Sequence, residues 1–203
     1  MLAQLRAAAT LLGVLTVLLG LLYPLAMTAV AGALFPAEAK GSLVTRDGVA
    51  VGSRLVGQRF ADARYLHSRP SVAGAGYDAS ASSGSNLGPT SAKLAERLTI
   101  DAAALRTRTG AAFVPADAVT TSGSGLDPDI SPAFAELQAA GIAEARGLPV
   151  DAVHRVLAAA TTGRTLGFLG EPRVNVLAAN LALDAAAPAP ADGVPTASAS
   201  PAG

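Results

Sequence analysis

The sequence contains no cysteine. This excludes a disulfide framework, a thiolate nucleophile and any cysteine-ligated metal, and a chain without thiols is compatible with an oxidising compartment. There is no excess of either charge: Lys+Arg and Asp+Glu are 15 each in 203 residues. A surface that wraps nucleic acid needs a basic stripe, and none is present. The two lysines, Lys40 and Lys93, do not close a glycine-rich Gly-Lys-Ser/Thr loop, so there is no P-loop. Ser124 in SGSGL lacks the first glycine of a nucleophile elbow. The two histidines, His67 and His154, are not at metal-ligand spacing; the first reads as structural, the second as a solvated helix residue. Asp127 and Asp129 flank Pro128 and read as backbone caps of a turn. No metal site is expected.

What the chain has is a long apolar run. No residue from Ala7 to Ala37 is charged. A helix crosses a bilayer with about 20 apolar residues, whereas the apolar core of a signal peptide spans only about 7–15. Residues 1–37 are therefore expected to be an uncleaved anchor with one transmembrane helix at about 10–34. Small-x-small sites at Ala31-Gly32-Ala33 and Ala37-Glu38-Ala39 keep a cleaved signal as the alternative. Pro24 removes one backbone donor and is expected to kink the helix. Gly13, Thr16, Gly20 and Tyr23 form a small-and-polar stripe at helical spacing, a candidate packing face against other membrane helices. Charge near the ends of the span marks orientation weakly: Arg6 precedes it, and Glu38, Lys40, Arg46 and Asp47 cancel after it. A short cytoplasmic N-terminus with the remainder outside is the expected arrangement.

Residues 38–185 have the composition of one small mixed α/β domain, giving an α+β chain behind a single span. Asp47-Gly48 between two β-prone segments predicts a hairpin over 42–51. From Ala61 to Thr90 the chain is rich in Ser, Gly, Ala and Pro and reads as a long loop, ordered or disordered. Ser91 predicts a helix N-cap, with Leu94, Leu98 and Leu105 on one face and Gly110 as the end. Residues 116–121 read as a short strand. Ser131-Pro132 predicts a helix carrying Phe134, Leu137 and Ile142 inward and closing at Gly147. Pro149 opens another, with Val153, Val156 and Leu157 inward. The segment VNVLAANLALD reads as an apolar helix or strand. Residues 186–203 are expected to form a disordered tail.

One catalytic reading is open at this level. Lys93, if desolvated, is a candidate base for Ser85 or Ser124 in a membrane-anchored hydrolase. Its place in the first turn of an amphipathic helix favours a solvated lysine instead.

Six collinear stretches resemble the KdpC family, the C subunit of bacterial high-affinity potassium-transporting ATPases. They are GSRLVGQRF (52–60), YLHSRPS (65–71), SGSNLGPT (83–90), VTTSGSGLDPDISP (119–132), ARGLP (145–149) and TLGFLGEPRVNVLAANLALD (165–184). Two departures stand out: Ser83 replaces the first of two glycines common in the family, and Asp129 stands where the family often has histidine. The resemblance implies a single-pass inner-membrane protein with its bulk outside the cytoplasm. It implies partnership with a potassium-selective channel-like subunit (KdpA), a catalytic P-type ATPase subunit (KdpB) and a small membrane peptide (KdpF). It implies no catalytic residue and no firmly bound cofactor in this chain, with ATP engaged through the complex. The family role is a catalytic chaperone that raises the ATP affinity of the catalytic subunit; an external lid over the potassium path is the alternative. Leu55-Val56-Gly57-Gln58 resembles the end of the ABC signature, which makes Gln58 a weak candidate nucleotide contact. Ser85, Asn86, Leu87, Gly88 and Pro89 form one candidate partner-facing or structural loop. Ser122, Gly123, Ser124, Gly125 and Asp127 form a second, and Gly170, Glu171 and Arg173 a third.

Overall fold

The computed structural model describes residues 1–187, which divide into two units, 1–43 and 44 onward. The expected tail therefore lies outside the described residues, except for Ala186, which is still helical, and Ala187, which caps that helix. The N-terminal unit is one apolar helical rod from Leu2 to Leu34, long enough to cross a membrane. It begins earlier than the span expected from composition, because the first turns are helix formers such as Leu, Ala and Gln. Helix α1 (Leu2–Val17) passes into a wide π-helical turn at Leu18–Leu22 and continues as α2 (Tyr23–Leu34). Pro24 accounts for the wide turn. It has no N–H for the Gly20 carbonyl, and its ring crowds that carbonyl. The Tyr23 N–H reaches back five residues to the Leu18 carbonyl, and the Thr28 hydroxyl donates to the Pro24 carbonyl at 2.8 Å. A single turn, α3 (Pro36–Ala39), follows.

The expected hairpin opens the second unit from Val44 onward, with β1 (Leu43–Arg46) and β2 (Val49–Ser53) joined by a turn that places Asp47 and Gly48 at positive φ. Helix α4 (Ala92–Thr109) is capped by the Ser91 hydroxyl, which accepts from the Leu94 N–H, and ends at Gly110. Helix α5 (Pro132–Arg146) is capped by Ser131, accepting from the Phe134 N–H at 3.0 Å, and ends at Gly147. Helix α6 (Val150–Ala159) packs against it. A three-stranded antiparallel sheet has the order β3 (Asp129–Ile130), β5 (Arg173–Asn175), β4 (Thr161–Thr162). Strand β5 runs directly into α7 (Val176–Ala186). VNVLAANLALD is thus both strand and helix. The switch falls at Asn175, whose side-chain oxygen caps the helix by accepting from the Ala178 N–H.

The core is the seam of α5, α6, α7 and β5. Phe134, Ile142, Val153, Leu157, Val174 and Leu183 are all buried there. Leu137 and Val156 are only partly buried, at its edge. Residues 116–121 correct the sequence reading. They form a single 3₁₀ turn at Ala116–Ala118, not a strand. Pro115 precedes that turn, and the Asp117 carboxylate is spent on Ser131, accepting from its N–H at 2.7 Å and its hydroxyl at 2.9 Å. The strand forms instead at Asp129–Ile130, inside what reads as turn.

Candidate functional site: a loop cluster around residues 120–127

The loop 61–90 is ordered, and side-chain amides from two helices hold it. Asn180 of α7 accepts from the Leu66 N–H at 2.7 Å and donates to the Leu66 carbonyl at 2.9 Å. Gln138 of α5 does the same for His67, at 2.9 and 3.2 Å. Each carboxamide imitates a neighbouring strand, so this irregular backbone can be buried with its polar groups satisfied. A third clamp is the guanidinium of Arg146, whose side chain is fully buried. It donates to the carbonyls of Arg64 (2.6 Å), Leu183 (3.1 Å) and Ala187 (3.0 Å), and pairs with Asp184 at 2.8 Å. It also lies over the Tyr65 ring, 5.0 Å from its centre. Asp184 further accepts from Arg46 of β1 at 3.2 Å and from the Tyr65 hydroxyl at 3.3 Å. Burial, followed by the Asp184 charge, pushes the Tyr65 hydroxyl above its ordinary pKa.

Held in this way, the loop delivers two segments to the turn 120–127, and the chain just before it, at Gly57, adds a third. The Gly57 N–H donates to the Leu126 carbonyl at 2.8 Å and the Ser83 N–H to the Ser124 carbonyl at 3.0 Å. The Ser82 hydroxyl shares the Ser124 carbonyl, and the Ser71 hydroxyl donates to the Gly125 carbonyl. Two of these approaches are too close for a side chain. A β-carbon at Gly57 would stand 2.5 Å from the Asp127 carbonyl oxygen, and one at Gly125 would stand 2.5 Å from that of Ser83. Gly125 also has φ +68°, the left-handed region. Arg69 ties the far side, donating to Asp127 at 3.1 Å and to the Thr120 hydroxyl at 3.2 Å. The cluster is a backbone-to-backbone weld, with its one guanidinium neutralised by Asp127.

The sequence-selected residues fall into separate places. Ser122, Gly123, Ser124, Gly125 and Asp127 are in the cluster, Ser83 and Gly84 pack onto it, and Ser85 is half-buried beside them in sequence. Asp127 caps its own turn, accepting from the Asp129 N–H at 3.1 Å. Asp129 pairs with Arg173 at 3.0 Å and accepts from Asn175 at 2.9 Å, which brings Arg173 to the edge of the same region. Asn86, Gly88 and Pro89 are exposed and Leu87 is half-buried, with Asn86 at φ +53°. Gly170 and Glu171 belong to a different turn, closed by Arg164–Glu171 at 2.7 Å. That turn exposes Leu166 and Phe168. The Gln58 amide donates to the Val51 carbonyl at 3.2 Å. Beside it a crevice lined by Val56, Phe60, Ser68 and Pro128 leaves no room for a water molecule. Lys93 is exposed on α4; the Ser124 hydroxyl is engaged by the Leu126 N–H and Ser122. His154 pairs with Glu136 at 2.9 Å. Among the described residues no cluster of three or more His, Asp or Glu could hold a metal. Gly13, Thr16, Gly20 and Tyr23 are exposed along the N-terminal helix, and the wide turn falls within their stripe. Sequence reasoning missed Arg146, Asp184, Asn180 and Gln138. The one available signal was a polar residue inside an apolar helical pattern, as Asn180 is.

The family described as "KdpC: K+-transporting ATPase, c chain" matches residues 5–185. The Potassium-transporting ATPase KdpC subunit of Caulobacter vibrioides is 59% identical over 189 residues, covering 93% of this chain and 96% of that protein. The subunits of the same name from Bradyrhizobium diazoefficiens and Beijerinckia indica subsp. indica are 53% and 54% identical. They cover 92% and 93% of this chain, and 99% and 96% of their own lengths. A match of this extent, taking in the apolar helix, the loop clamps and the 120–127 cluster together, places the chain in the KdpC family.

Proposed function

We propose that this chain is a subunit of a potassium-transporting ATPase complex, anchored by its N-terminal helix, with a structural and coupling role and no chemistry of its own. The observation that carries the reading is the near-full-length match to KdpC subunits. The polar groups of the candidate site support it, because they are spent on holding backbone together. The partners in this reading are KdpA-like, KdpB-like and KdpF-like subunits. Residues 38–185 lie outside the cytoplasm of a bacterial inner membrane.

On this topology the domain does not meet cytoplasmic ATP. Its effect on ATP affinity is a coupling free energy through the assembled complex. The exposed Leu166 and Phe168 favour a second reading, an external lid that touches the potassium-selective subunit. Both readings are tested on purified complex prepared with and without this chain. Loss of the chain is expected to raise the apparent KM for ATP at least about fivefold. A change confined to the potassium dependence favours the lid, and an unchanged response to both ligands sinks the two readings together.

The orientation has its own test. Protease added to intact spheroplasts should remove the domain and leave the anchor helix. Protection of the domain until the membrane is breached would place it inside and restore direct contact with ATP.

A further inference from the structure

We propose that His67 is an acid-released latch: protonation of its imidazole frees the segment 64–77 and loosens the Arg69 tie to the 120–127 turn. The proposal does not depend on which side of the membrane the domain occupies.

The geometry is that of a histidine built to be neutral. Its backbone N–H and carbonyl are both held by Gln138 of α5, so the backbone that carries the ring is fixed. Its Nε2 is buried and has no hydrogen-bond partner. A neutral imidazole tolerates this, because Nε2 can be the unprotonated nitrogen. An imidazolium must carry a proton there, buried and without an acceptor. The charged groups that act on the ring are Asp62, on its own loop, and Arg108 near the end of α4; from α5 the neighbour is the neutral Gln138. Burial is the main influence lowering the pKa of the ring, and Arg108 adds to it. A backbone hydrogen bond at Asp62 and the Asp62 carboxylate oppose them without prevailing. Two residues beyond lies Arg69, whose guanidinium fastens Asp127 and Thr120. Release at His67 therefore reaches the cluster through one intervening residue, Ser68.

The sign follows from proton linkage. The folded segment binds fewer protons than the opened one, so the latch holds fully above the ordinary histidine pKa of about 6.5. Its hold is lost as pH falls below that value, the opening equilibrium rising by at most about tenfold per pH unit and levelling off below the folded pKa. His154 is part-exposed and paired with Glu136, so its charged form has a partner.

The test is hydrogen exchange of the full chain in detergent micelles between pH 7.5 and 5.5, corrected for intrinsic rates. In the wild type, opening of 64–77 is expected to rise by up to about fivefold between pH 6.5 and 5.5, while α5 stays protected. His67→Gln and His67→Phe should flatten that slope, and His154→Gln should leave it unchanged. If both His67 variants fail to fold, Arg108→Gln serves: it should make opening level off at a higher pH, because one cause of the lowered pKa is gone. A flat wild-type profile overturns the proposal. So does a wild-type slope in the His67 variants, an Arg108→Gln profile identical to wild type, or α5 opening in step with the loop.

Discussion

Arg146→Met is expected to destabilise the second unit by about 3–5 kcal/mol, the cost of breaking a buried charge pair from one side. The substitution keeps the length and apolar stem of the side chain while deleting its donors. Three carbonyls, those of Arg64, Leu183 and Ala187, lose a charged partner at once. Asp184 keeps Arg46 and the Tyr65 hydroxyl but loses its shortest contact. Arg46 is about half-exposed and cannot replace a fully buried fork. Denaturant unfolding of the full chain in detergent should therefore show a much lower midpoint, and thermal unfolding a fall on the order of 10 °C. Arg146→Lys, which retains charge but has no planar fork, should lie between the two. A loss under about 1 kcal/mol for methionine would mean that the apolar seam alone holds α7 and the loop in place.

The difference between what the sequence discloses and what it hides is one of range. Helix ends are local events. Ser91 with Gly110, and Ser131-Pro132 with Gly147, are legible because cap, first turn and stop lie within one short window. The Asp47-Gly48 hairpin is legible for the same reason. The apolar span is legible from composition alone, but its wide turn is not, since it follows from how the helix accommodates Pro24. The clamps are hidden because their partners are remote: Leu66 and Asn180 are 114 residues apart, Arg64 and Arg146 are 82 apart. Arg146 stands where a basic residue at a helix C-terminus is ordinary, so nothing local distinguishes it from a solvated cap. Residues 116–121 read as a strand because a short local window does not register that Asp117 is bound to Ser131. The 120–132 stretch was legible as a glycine-shaped turn. That its carbonyls receive donors from 57, 71 and 83 was not, because a carbonyl leaves no trace in the residue type.

That weld can be tested by comparing two glycines in the same turn. Gly125→Ala is expected to be costly. Its φ of +68° penalises any β-carbon by about 1–2 kcal/mol. The added atom would also stand 2.5 Å from the Ser83 carbonyl oxygen and 3.0 Å from the Ala73 nitrogen. Both are backbone atoms that cannot rotate away, so relief requires moving one loop off the other, as in overpacking, for roughly another 1–3 kcal/mol. Gly123, two residues earlier, has no positive φ, and nothing lies within 4 Å of where its β-carbon would be. Gly123→Ala should be close to neutral, or slightly stabilising through the unfolded state. The measurements are potassium-limited growth of cells carrying each variant and hydrogen exchange of 69–77 and 119–127 in the purified chain. Gly125→Ala should impair growth and raise exchange in both segments together, with α5 and α7 unaffected, whereas Gly123→Ala should match wild type in both. Equal tolerance of the two alanines would mean that the loops have room to separate, and that the cluster is not what keeps the domain in its working form.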